Sequence, residues 1–211
     1  MFIRKSPLRS LALLALAATA LAGCQRNPLV VTRSPCPAVA VPTYAGDLTA
    51  FAPGASPDAG NLDFVATITN VRATCAEGAD QLVSDIRYDI VARRESAAGA
   101  RSVSLPVFAS VVQGGNLVVS KQVGSVTIAF ADGQLRSTTG ATARSTVSRA
   151  AASLPAAVQA RITRKRRAGD PDAAVDPMAD PEVRAALRAA SFEVLVGFQL
   201  SEAQLAYNVT K

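Results

Sequence analysis

From Leu62 onward the chain alternates apolar and polar residues with a period of two, the signature of strands with one buried and one wet face. In the run Leu62 to Thr69, the residues Leu62, Phe64, Ala66 and Ile68 share one face while Asp63, Thr67 and Thr69 point the other way. The next run is cleaner: Leu82, Ser84, Ile86, Tyr88 and Ile90 alternate with Val83, Asp85, Arg87 and Asp89. Residues 103–112 place Val103, Leu105, Val107, Ala109 and Val111 on one face, and Pro106 within them favours an edge or a bulge. Gln113-Gly114-Gly115-Asn116 predicts a hairpin turn, because glycine accepts the positive φ that such turns require. A fourth strand follows over residues 117–130, with Gly124 marking a candidate break, and Asp132-Gly133 predicts a second tight hairpin. Leu135 to Val147 continues as a Ser/Thr-rich strand, and Phe192 to Gln199 alternates again as the last one. Strands in succession joined by short turns predict a mainly β fold. The expected architecture is an antiparallel β-sandwich, immunoglobulin-like or fibronectin-like in arrangement.

Two stretches break this pattern. Between the fifth and last strands, residues 150–190 form an insertion with a basic cluster (Arg161, Arg164, Lys165, Arg166, Arg167) followed by acidic, proline-spaced sequence from Asp170 to Asp180. Asp180-Pro181-Glu182 combines a capping aspartate, a proline suited to the first turn and a glutamate near the positive end of the helix dipole. With Val183, Ala186, Leu187 and Ala190 as its apolar stripe, it predicts a short helix over residues 181–190. Residues 25–61 are rich in Pro, Ala, Gly and Ser, which suits a tether and then irregular or edge structure, with Ala38 to Val41 as a short first strand.

The first 24 residues have a basic start (Arg4, Lys5, Arg9) and an apolar stretch from Leu11 to Leu21, the plan of an export signal. A helix of that length falls well short of a hydrocarbon layer about 30 Å thick. The stretch ends in Leu21-Ala22-Gly23-Cys24, which resembles the lipobox of bacterial lipoproteins. The resemblance implies cleavage before Cys24, a lipid thioether on its sulfur and acylation of the new amino terminus, which together anchor a protein firmly to a membrane. The alternative is ordinary secretion, since Ala20-Leu21-Ala22 also fits a small-residue cleavage pattern. Gln25 after the cysteine, by the sorting rule of such lipoproteins, implies an outer-membrane destination with the domain in the periplasm. Lipid on Cys24 leaves an even pair, Cys36 and Cys75, and an oxidising compartment makes a disulfide between them the default. Two separate buried thiols are the other reading. The expected organisation is a removed signal over residues 1–23, a lipidated tether over 24–35 and a β-sandwich domain over 36–211.

Composition changes this picture little. Hydrophobic residues make up 49% of the chain but aromatic ones only 5%, so the core should be built from small aliphatic side chains. The formal charge of +6 includes the three cations of the signal, and the remainder, about +3, is too small to imply a polyanion-binding protein. The run Arg164, Lys165, Arg166 and Arg167 has two readings. As a site it contacts lipid phosphates, lipopolysaccharide or an acidic partner; as structure it is a solvated loop balanced by Asp170, Asp172, Asp176 and Asp180, and we favour the latter. No aromatic platform for nucleic acid lies near it.

Candidate chemistry is sparse. The chain has no histidine, which removes the usual general base, the serine triad and histidine-ligated zinc. Beyond the signal the lysines are Lys121, Lys165 and Lys211, none in a recognisable Ser/Lys motif. The acids of the insertion lack calcium-loop spacing, and Asp85 and Asp89 fall on the wet face of a strand. The segment from Val196 to Asn208, with the lipobox and Cys36-Pro37, resembles a set of uncharacterised alphaproteobacterial envelope lipoproteins, which brings no activity and no site residues. Leu200 and Leu205 are expected to pack a final turn against the sandwich, capped by Ser201. The leading expectation is a non-enzymatic binding or scaffolding module without a cofactor, anchored in the membrane and engaging an envelope protein or glycan. A carrier for a small apolar ligand, lodged among the small side chains of the third and fourth strands, is the alternative. An envelope hydrolase carries least weight.

Overall fold

The computed structural model describes residues 33–210, so Cys24 and the signal lie outside the described residues. Eight strands form two four-stranded sheets packed as a sandwich: β1 (Ala38–Ala40), β2 (Asp47–Phe51), β3 (Leu62–Glu77), β4 (Gln81–Arg94), β5 (Arg101–Gln113), β6 (Leu117–Phe130), β7 (Arg136–Ser148) and β8 (Phe192–Phe198). One sheet has the order β1-β8-β5-β6 and the other β2-β3-β4-β7. Neighbours are antiparallel except β1 and β8, which run parallel. The alternating faces predicted from sequence point inward: Phe64, Ala66, Ile68, Leu82, Ile86, Tyr88 and Ile90 from one sheet meet Leu105, Val107, Val111, Val194 and Val196 from the other. Few of these are aromatic, so the core is packed by branched aliphatics. Gly197 is required by close approach, because a Cβ there would lie 2.8 Å from the Phe108 ring stacked over it.

Several elements differ from expectation. Residues 47–51, in the stretch read as irregular or edge structure, form the edge strand β2, whose bounds the sequence did not give because its alternation is short and flanked by turn residues. Pro106 lies in a strand with neighbours on both sides, and the bulge falls at Val111/Val112 instead. Its carbonyl accepts from the Gln199 amide at 2.9 Å, so its nitrogen faces the flank that β8 has just left, and the missing donor leaves no ladder bond broken. β6 runs unbroken through Gly124, which pairs with Val107.

The insertion contains α1 (Arg149–Ala152), α2 (Ala156–Thr163) and α3 (Pro181–Ala189), of which only α3 was predicted. Asp180 caps α3 by accepting from the Glu182 amide at 2.8 Å. Val158 and Ile162 of α2 pack on Val183 of α3 in a small core separate from the sandwich. The chain ends in a full helix, α4 (Glu202–Thr210), not a turn. Ser201 and Gln204 cap it reciprocally, side chain to backbone in each direction. Because the helix continues, Tyr207 meets the Phe51 ring edge-on and Asn208 donates to the carbonyls of Tyr44 and Asp47; Leu205 is exposed, while Leu200 packs on the core.

One end of the sandwich is tied across the two sheets by polar bonds. Arg94, 3% exposed, ends β4 in phase with its buried face. Its guanidinium donates to Gln134 O at 2.7 Å, Gly99 O at 2.8 Å, Ala97 O at 2.7 Å and Ala131 O at 3.0 Å, and lies over the Phe130 ring. These carbonyls belong to the β4–β5 and β6–β7 connections, both of which cross between sheets. Alongside, Arg101 of β5 makes a two-pronged ion pair with Asp63 of β3, at 2.6 and 2.7 Å. The hydroxyl of Ser137 on β7 donates to the Ala129 carbonyl of β6 at 2.6 Å.

Replacing Arg94 by Met keeps the aliphatic stem but strands four carbonyls, and should cost roughly 3 kcal/mol or more in urea unfolding; a loss under about 1 kcal/mol would show the guanidinium to be incidental. Hydrogen bonding to Arg101 holds the Asp63 carboxyl below its ordinary value of 3.8. A depressed carboxylate contributes stability above its unfolded pKa and loses it as pH falls through the folded one. The wild type should therefore exceed Asp63→Asn by about 1 kcal/mol at neutral pH, with the gap closing only in strongly acid solution. A gap that persisted unchanged under full protonation would contradict the assignment.

Candidate functional site

Of the four sheet edges, three are blunted. β1 is three residues long, β2 is five, and β7 carries Ser, Thr and Arg along its length. The fourth, β6, is fourteen residues long, and residues 117–125 are exposed on both faces. Four of the ten exposed large hydrophobic residues among the described ones lie within seven positions here: Leu117, Val118, Val119 and Val123, the last 61% exposed. Such clustering marks an interaction surface more often than scattered apolar residues do. The edge is also guarded. Ser120 pairs with Val111 and Val118 with Val112, so Val119 is an extra, unpaired residue, a bulge that twists the edge. Lys121 sits over the Phe108 ring at 4.9 Å and puts a charge in the middle of the strand. Bulge and lysine are devices that discourage indiscriminate strand pairing.

Beneath β6 the two sheets part. The β6 residues opposite the inward side chains of β5 are Gly124, Gln122 and Ser120, all exposed, and the facing positions of β7 are Thr139, Ala141 and Ala143. Small residues on both sides leave the seam between β6 and β7 unfilled. A cleft of about 140 Å³ opens there, lined by Tyr88, Val107, Ala109, Gln122, Gly124 and Ala143. Tyr88 is 3% exposed, and its hydroxyl makes no hydrogen bond among the described residues. Burial pushes its phenol above the ordinary value, so it is a neutral donor.

The residues predicted from sequence lie elsewhere. Cys36 and Cys75 form a disulfide with Cα atoms 6.2 Å apart, which joins the segment before β1 to the far end of β3. Arg33 adds a second tie by donating to the carbonyls of Ala152 and Ala190. In the basic cluster, Arg164 and Arg166 both bond Asp172, and Arg161 bonds Asp180. The Arg167 backbone amide donates to the Asp170 carboxylate, and Lys165 is exposed. The cluster therefore lies among its own counter-ions, about the insertion and away from the β6 seam. Asp85 pairs with Arg144, and Asp89 accepts from Asn70, on the wet face of their sheet. Sequence reasoning did not find Arg94, the seam or the orphaned Tyr88 hydroxyl. The available signals were a charged residue in buried phase and the loss of alternation in Leu117-Val118-Val119-Ser120-Lys121-Gln122.

Among the described residues no cluster of three or more His, Cys, Asp or Glu side chains is placed to hold a metal, and no helix is long and apolar enough to cross a membrane. No family model, curated protein or solved structure matches the chain.

Proposed function

We propose that the protein is a non-catalytic binding module of the bacterial cell envelope, anchored by lipid on Cys24 and engaging a protein partner along β6. The observation that carries the reading is the concentration of exposed aliphatic side chains on a long free edge, Leu117, Val118, Val119 and Val123. An extended segment of a partner can add to such an edge through main-chain hydrogen bonds, with side-chain contacts supplying selectivity. The bulge at Val119 and the charge of Lys121 work against self-pairing and leave the edge to a partner with matching register. The anchor rests on the lipobox-like Leu21-Ala22-Gly23-Cys24, and the outer membrane on Gln25. The disulfide and Arg33 hold the start of the domain firmly, so a tether ending there transmits the membrane attachment to the sandwich itself.

Photo-crosslinking amino acids placed at Val118 and at Val123 in growing cells should trap the same discrete partner, while one placed at Thr142 on the other sheet should not. Palmitate labelling should vanish with Cys24→Ala, and the crosslink should weaken with it. Equal crosslinking from all three positions, or none from β6, would remove this reading; label retained without Cys24 would remove the anchor.

A further inference from the structure

The cleft under β6 is built unlike the rest of the interior. Elsewhere branched side chains from both sheets interdigitate, whereas here Gly124, Ala109 and Ala143 face one another and leave a space of about 140 Å³. A Cβ added at Gly124 would meet no atom within 4 Å, so the space lies directly over that residue. An enclosed aliphatic cavity of about 150 Å³ accepts a benzene-sized molecule, and this cleft, although open to solvent, has similar room. The polar residues of the lining are Gln122 and Thr142, both exposed, and Tyr88, which is 3% exposed and presents a hydroxyl that no described group accepts. The hydroxyl is not among the buried side-chain atoms left without a partner, so it meets solvent in the cleft, where an acceptor on a ligand can take the place of water. No charged side chain lines the cleft: Lys121 is turned to the outer face, over Phe108. The occupant is therefore expected to be neutral.

We propose that this cleft is a binding site for a small neutral molecule or acyl terminus of about six carbons, carrying a carbonyl or ether oxygen that accepts from the Tyr88 hydroxyl. The apolar part lies against Val107, Ala109 and Ala143 beneath Gly124, and Gln122 borders the entrance. The site borders the proposed partner surface, since Val123 touches both, but the two are tested apart: the crosslinks read the outer edge and the methyl shifts read the cleft.

Cyclohexanone is a suitable probe, with six carbons, one acceptor and no charge. Titrated into the full chain in lipid nanodiscs with carbon-13-labelled alanine and valine methyls, it should shift Val107, Ala109 and Ala143 saturably, with a dissociation constant on the order of millimolar. Gly124→Val fills the space and should abolish the shifts while leaving the melting temperature unchanged or raised, since glycine in a strand interior weakens it. Tyr88→Phe keeps the ring and should weaken binding about three- to tenfold. Absence of saturable shifts in the wild type, or shifts that persist in Gly124→Val, would overturn the site. Equal affinity in Tyr88→Phe would overturn the role of the hydroxyl.

Discussion

A buried guanidinium without an acid beside it is expensive unless carbonyl oxygens take its place, and Arg94 has four of them within 3.0 Å. Those oxygens come from the two connections that carry the chain from one sheet to the other at this end. Both connections are thus folded around one side chain, and their backbones are laced together by the bonds Arg94 N to Leu135 O and Gly133 N to Ala97 O. The sheets are held in register where β4 becomes β5 and β6 becomes β7. The Asp63–Arg101 pair and the Ser137–Ala129 bond add to the same end. The cationic head also rests on Phe130, which itself closes the core.

Fixing the sandwich there leaves it free to open along the β6–β7 seam. The turn at Asp132-Gly133, predicted as a hairpin, instead carries the chain between sheets, and β6 and β7 separate from it as the inward residues change from Phe130 and Ile128 to Gly124, Gln122 and Ser120. At the opposite end the core is full again, with Val111, Val147, Ala152 and Phe192, and the insertion helices are tied there through Arg33 and through Gln113 to Ala189 O. The gap is therefore local, bounded by two well-packed ends. That geometry gives one strand an apolar outer edge and a hollow inner face, which is why the proposed partner surface and the proposed small-molecule site fall on the same element.

Much of this was legible in the sequence where one face of a strand is buried and the other is wet. β3, β4, β5 and β8 declare themselves by alternation, the Cys36/Cys75 pair by arithmetic, and α3 by its Asp-Pro-Glu start. β6 was located but its exposure was not foreseen, because a strand exposed on both sides has no periodic constraint to display. Gln122 and Ser120 at inward positions were the visible trace. Arg94 carried a similar trace, since Ile90, Ala92 and Arg94 continue one buried phase. Its meaning depends on two loops brought together by tertiary structure, which no local pattern encodes. The Ser201…Gln204 spacing was a readable capping box, and its reciprocal bonds explain why α4 extends to Thr210 and buries Asn208.

Amide hydrogen exchange resolved by residue separates a firmly closed end from an open edge. The sandwich is bolted at the Arg94 end and open along β6. The slowest exchange should then fall on β4, with its neighbours on either side, and on the amides of Arg94 and Gly133. The amides of residues 117–125 that face away from β5 should exchange orders of magnitude faster. Uniform protection across β6 would mean that the edge is already covered in the isolated protein, and rapid exchange at Arg94 would mean that the closure described here is not what holds the sheets together.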